Sequence, residues 1–274
     1  MLAVAVGTPA QRESRAADPA DGLIACAVAR AVGVTPYCRA MTVSYPPEPW
    51  HLRGRMYLSV WLVPAARLPA LPPRLVERAR PILIGGRAVV GTAWVRYEPG
   101  GVLHYHELLS AVLVRVGVRP RVSILDIWVD SDASRAGGRE LWGIPKERAA
   151  FEFPESLPTS VAATAADGAP LASAEISTRW RLPGRWPFAF SVTQARKDRV
   201  LTTPVRGDAV LHGGAVRWRP DPGGPLGYLA DRRPWLTLAV TDFRLLFGHS
   251  WSLTGERLDT PTTSQPSRQR SRFP

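Results

Sequence analysis

Ten stretches rich in aromatic and β-branched residues, each cut off by proline, glycine or a polar turn, limit the fold of this chain more than any other feature. They fall at residues 55–63, 87–97, 105–116, 121–129, 148–153, 161–166, 170–180, 188–193, 209–218 and 235–247. Such residues suit a pleated, half-buried surface. Glu98-Pro99-Gly100-Gly101, Gly168 and Pro183-Gly184 supply turns between them, and the chain holds 27 prolines and 23 glycines in all. Many short strands with tight turns predict a mostly β (α+β) protein, closed or sandwiched and antiparallel, with a few short peripheral helices. One of these helices is expected near residues 73–80. With 274 residues, 45% of them apolar, and 10 tryptophans, the chain can bury the core of one large or two small domains.

The two ends read differently from the middle. Residues 1–44 carry a polar Ala/Asp/Arg-rich run and a short apolar run, too short to span a membrane and lacking the basic start of a signal peptide. They are expected to be a disordered extension, with Met41 as a plausible start. Residues 255–274 are rich in Thr, Ser, Pro and Arg and predict a disordered tail. The folded domain is therefore placed at 45–254. Cys26 and Cys38 are the only cysteines and show no disulfide framework, which points to a reducing, cytoplasmic setting. No Cys/His cluster has metal spacing, so neither metal nor other cofactor is expected. His104 and His106 share a strand face, where packing or hydrogen bonding explains them better. The formal charge is +12, but the arginines are spread along the chain rather than massed, which argues against a nucleic-acid partner.

Of 35 basic residues only two, Lys146 and Lys197, are lysines. In a chain that writes positive charge as arginine, a lysine between Pro145 and Glu147 is conspicuous. Only lysine readily loses its proton when desolvated and then attacks a carbonyl. Asp130-Ser131-Asp132 offers N-caps, residues 133–142 can form about three helical turns, Gly143 suits a left-handed C-cap and Pro145 prevents continuation. Gly137 and Gly138 weaken that helix, so packing must hold it. Lys146 then lies at a fixed point beside Leu141, Trp142 and Ile144, whose apolar surfaces would desolvate the amine and lower its pKa. The helix C-terminus opposes this by favouring the ammonium. The plainer alternative is a surface lysine after a short helix.

Gly138-Arg139-Glu140-Leu141-Trp142-Gly143-Ile144-Pro145-Lys146 resembles the signature of the acetoacetate decarboxylase superfamily. The likeness extends upstream through residues 124–132 and Tyr105-His106-Glu107, and more weakly to Arg55-Met56-Tyr57. It implies a cone-like β-barrel, a homo-oligomer, and Lys146 as the amine that forms an iminium with a keto acid. It also implies Glu107 as an active-site carboxylate. Two positions depart from the pattern. Glu147 stands where the family has a second basic residue, though on a strand it would point away from Lys146. A second family glutamate would fall near Thr92, where there is no carboxylate.

Strand parity places Glu107 with Tyr105, Leu109, Ala111 and Leu113, the lone charge on an apolar face. It is either a solvent-exposed strand end or a buried carboxylate able to relay protons. Arg55 and Arg53 share a parity and are equal candidates for holding a substrate carboxylate; either could instead be a surface residue beside Trp50. Tyr105, Trp142 and Ile144 complete the expected substrate-binding set. The function expected is a Schiff-base lyase acting on a small keto acid or other carbonyl compound, most simply by decarboxylation. Aldolase or dehydratase chemistry on the same lysine, or a non-catalytic small-molecule-binding barrel, are the alternatives.

Overall fold

The computed structural model describes residues 43–156, 159–197 and 199–249. The C-terminal tail, both cysteines and the N-terminal extension other than Val43 and Ser44 lie outside the described residues. The twelve strands found there are β1 (Trp50–Pro64), β2 (Ala79–Pro81), β3 (Leu83–Ile84), β4 (Arg87–Tyr97), β5 (Tyr105–Val116), β6 (Arg119–Val129), β7 (Lys146–Glu152), β8 (Thr159–Ala165), β9 (Pro170–Arg181), β10 (Trp186–Arg196), β11 (Arg199–Pro220) and β12 (Leu236–Phe247). Two α-helices accompany them: α1 (Pro73–Val76) and α2 (Asp132–Trp142). None is long and apolar enough to cross a membrane.

The strands join into one sheet in the order β6-β7-β8-β9-β11-β12-β1-β4-β5, and β5 pairs with β6 to close the ring. Closure removes the open edges that would otherwise template aggregation. Strand β10 makes a second closure: it pairs with β11 from Trp186 to Arg196 and meets β6 at Val192 and Val122. The wall β11-β12-β1-β4-β5-β6 is thereby shared, with a core on each face. Alternate residues go to alternate sides, as the period of two demands. Val95 and Ile127 join one cluster with Trp50, Trp142, Ile144 and Phe243. Trp94, Leu108 and Trp128 join the other with Tyr57 and Ile176. A third cluster around Trp61 and Leu75 fills one end.

Two details differ from the sequence-based expectation. The sheet is not wholly antiparallel, because β6 runs parallel to β7 and to β10. A parallel pair cannot be joined by a hairpin and needs a crossover, which α2 provides. Strand β11 is also about twice the length expected, running back from residue 209 through Gly207 and Pro204 to Arg199. At Gly207 a Cβ would lie 2.1 Å from the carbonyl oxygen of Arg244, so the glycine marks close approach of β12 rather than a turn.

Candidate active site

Helix α2 fixes where β7 begins. The Ser131 side chain caps its start by accepting from the Ser134 backbone N–H at 3.2 Å. Gly143 takes the left-handed conformation (φ 68°), and its N–H donates to the Arg139 carbonyl. That is the left-handed helix termination, and the Ile144 N–H adds a bond to the Gly138 carbonyl at 3.0 Å. Lys146 then enters β7 in register with Ile127. The glycines that weaken the helix in isolation are needed in the fold. A Cβ on Gly137 would lie 2.5 Å from Trp50 Cζ2, and one on Gly138 only 2.8 Å from Lys146 Cδ. The helix is thus pressed against the aliphatic stem of the lysine.

Lys146 is 4% exposed and Glu107 is 3% exposed. Nζ donates to Glu107 Oε2 at 2.8 Å, to Ser134 Oγ at 2.8 Å and to the Tyr105 hydroxyl oxygen at 3.2 Å. All three ammonium protons are therefore used. The Tyr97 hydroxyl donates to Glu107 Oε1 at 3.1 Å, and the Tyr105 hydroxyl makes a long contact of 3.5 Å with Oε2. The two phenol rings lie 4.4 Å apart, centre to centre.

The electrostatics reverse one expectation. Burial does push the Lys146 pKa down, but the Glu107 charge, then Tyr105, and the hydrogen bonds to both outweigh it, so the amine is held above its ordinary 10.5. Apolar surroundings alone do not settle a pKa when a carboxylate is buried beside the amine. Burial, reinforced by the neighbouring carboxylate, pushes Tyr105 up to about 12 and Tyr97 well above the usual phenol value. The lysine–glutamate pair thus lies beside two phenols whose pKa values are both raised.

Tyr105 and Glu107 share a face, as strand parity implied, and Lys146 meets both there. Trp142 and Ile144 are buried in the cluster that includes Ile127. Trp142 packs between Trp50 and Phe247, and its indole N–H donates to Glu48 Oε2 at 2.9 Å. The two arginine candidates are not brought to the amine. Arg55 pairs in register with Arg96, in the cross-strand row of His106 and thus on the opposite face of the wall from Glu107. There it is held by Glu98 at 2.7 Å. Arg53 is half exposed and lies 3.9 Å from Asp242. Thr92 also belongs to the opposite face, where it accepts from the Trp61 indole at 2.8 Å, so a carboxylate there would not reach Glu107. Glu147 points outward and binds Arg139, as alternation requires. His106 is taken up by Asp130 at 2.7 Å, the hydrogen-bonding role read for it from the sequence.

Sequence reasoning missed Ser134, Gly138 and Tyr97. Ser134 and Gly138 stand four residues apart on α2 and share a helix face, a signal that was present. Tyr97 depends on register. The β4–β5 connection runs from 98 to 104, longer than the turn expected at 98–101, and that length sets Tyr97 opposite Tyr105. A hollow of about 690 Å³ is lined by Arg53, Phe188, Arg206 and Arg244 among others, and one of about 380 Å³ by Thr159, Glu175 and Arg217. Neither is lined by Lys146 or Glu107.

The closed β wall and the end of α2 thus enclose a buried lysine–carboxylate pair. The family model for acetoacetate decarboxylase matches residues 35–188, more than half of the sequence, and the chain belongs to that family. Solved structures show the same fold. An acetoacetate decarboxylase structure aligns with a TM-score of 0.54 and 15% identity over 74% of this chain and 88% of the other. The acetoacetate decarboxylase of Legionella pneumophila aligns at 0.51 and 17% identity, over 77% and 90% of the two chains. An acetoacetate decarboxylase-like enzyme of Sphingomonas wittichii aligns at 0.51 and 16%, over 78% and 95%. No curated protein matches the sequence.

Proposed function

We propose that the protein is a Schiff-base-forming lyase in which Lys146 attacks the carbonyl of a small keto acid, with decarboxylation as the reaction. The observation that carries this reading is the 2.8 Å contact between two almost fully buried charges, Lys146 Nζ and Glu107 Oε2. A buried ion pair is a poor device for stability, because desolvation offsets most of its attraction. It is a good device for moving a proton without exporting charge. The proton passes from Nζ to Glu107, leaving a neutral amine and a neutral acid. The amine adds to the carbonyl carbon, and its own proton moves to the former carbonyl oxygen. Glu107 returns its proton to that oxygen, which departs as water. An iminium then faces a carboxylate, in place of the ammonium that faced it before.

The iminium draws electrons from the adjacent carbon. The bond to the β-carboxylate breaks, its electron pair moves to nitrogen through the enamine, and carbon dioxide leaves. A proton from solvent, relayed by Glu107, reaches the enamine carbon, and water releases the ketone. The buried Trp142 and Ile144 limit access of bulk water to this face. Aldol or dehydration chemistry would share every step up to the iminium, so product analysis separates these reactions.

Borohydride added with a β-keto acid or a small ketone should leave a reduced adduct on Lys146, found by peptide mass spectrometry and lost in Lys146→Arg. With only one other lysine in the chain, Lys197, the assignment is direct. An unmodified Lys146 across a broad panel of carbonyl compounds would sink the imine reading.

A further inference from the structure

A keto acid carries a carboxylate as well as a carbonyl, and the pair that would handle the carbonyl is already neutral as a whole. A cation is needed on the same face, and neither Arg55 nor Arg53 lies there. Register identifies one that does. Strand β7 pairs Lys146 with Ile127 and Arg148 with Val129, while β5 pairs Glu107 with that same Val129. Residues paired across a sheet point to the same side. Arg148 therefore stands in the cross-strand row of Glu107 and two residues along from Lys146. Ala149, of opposite parity, goes to the other core.

Helix α2 roofs both basic residues. Ser134 lies over the lysine nitrogen, and Asp132, two residues nearer the helix start, lies 3.4 Å from Arg148 Nε. Asp132 is also 3.9 Å from Arg135 Nε, so its charge is shared. The remaining observation points to a ligand. Arg148 Nη1 is buried and has no hydrogen-bond partner among the described residues. A buried guanidinium donor left unpaired loses its hydration without replacement, so native structures rarely tolerate one without a use for it. Residues i and i+2 of a strand are roughly 7 Å apart. Their two long side chains can converge on the carbonyl and carboxylate carbons of one small acid.

We infer that Arg148 is the residue that holds the substrate carboxylate. This rests on Lys146 as the amine for its geometry, but its test does not. The probe is 3-hydroxybutyrate, which keeps the carboxylate and cannot form an imine, with 1,3-butanediol as its uncharged counterpart. Calorimetric titration should show that 3-hydroxybutyrate binds the wild type at least about tenfold more tightly than Arg148→Gln, the size of a charge-assisted pair. Butanediol should not distinguish the two proteins. Equal affinity of 3-hydroxybutyrate for both, or none for the wild type, overturns the proposal. Should Arg148→Gln fail to fold, Arg148→Lys carries the test. Loss of the planar fork should weaken binding at least about threefold, and an unchanged Kd refutes the assignment. If 3-hydroxybutyrate binds as expected while borohydride traps nothing, the imine reading fails and Arg148 stands.

Discussion

The two faces of β5 carry the same kinds of residue under opposite conditions. On one, Glu107 faces Lys146 with almost no exposed surface on either. On the other, His106 pairs with Asp130. Nearby, Arg55 pairs with Glu98 and Arg96 with Glu155, all at least a fifth exposed. Water screens the second set, so those pairs add little and constrain little. Water is excluded from the first set, so its attraction is not screened. The difference comes from a shift of one residue along a strand, and it separates a surface charge lattice from a candidate reaction centre.

The contrast is tested hardest by breaking the buried pair. Glu107→Leu leaves an ammonium without its carboxylate and should destabilise the fold by about 3–5 kcal/mol, whereas Lys146→Met with Glu107→Leu should be near neutral or stabilising. Denaturant unfolding of both variants checks this, and equal losses in the single and double variants would contradict it. The alkaline limb sharpens the test. The Lys146 pKa is raised in the fold, so its contribution is complete below the unfolded value of 10.5 and declines as pH rises through the folded value. The wild type should therefore lose stability above about pH 10.5 relative to the double variant.

A smaller effect is expected from the helix side. Gly138→Ala puts a methyl group 2.8 Å from Lys146 Cδ. The lysine stem is enclosed and cannot swing aside, so overpacking should cost about 1–3 kcal/mol despite alanine's better helix propensity. It should also slow borohydride trapping by displacing Nζ; a more stable variant with normal trapping would show that the contact is slack. The least effect belongs to the other face. Arg55→Ala should change stability by about 0–1 kcal/mol and leave trapping untouched, which also checks one of the two arginine candidates read from the sequence.

Much of this was legible in the chain. The helix over 132–142 follows from Ser131, Gly143 and Pro145, which act locally. Glu107 shows as a lone charge on an apolar face because strand periodicity is a property of the sequence. What stayed hidden depends on which strands meet. Ser134 and Gly138 lie on one helical face, yet nothing local says that this face covers a lysine. Gly207 looks like a break until β12 lies against it. Arg148 reads as one arginine among 33, and only the parallel pairing of β6 with β7 puts it in the cross-strand row of Glu107.

By itself, then, the sequence determined the alternation of strands, the stop of α2 and the identity of the reactive-lysine candidate, because caps, turns and periodicity act over a few residues. The tertiary structure alone decided the lysine's partners and its protonation. Burial and Glu107 pull that pKa in opposite directions, and the winner depends on a distance across the barrel that no local rule encodes.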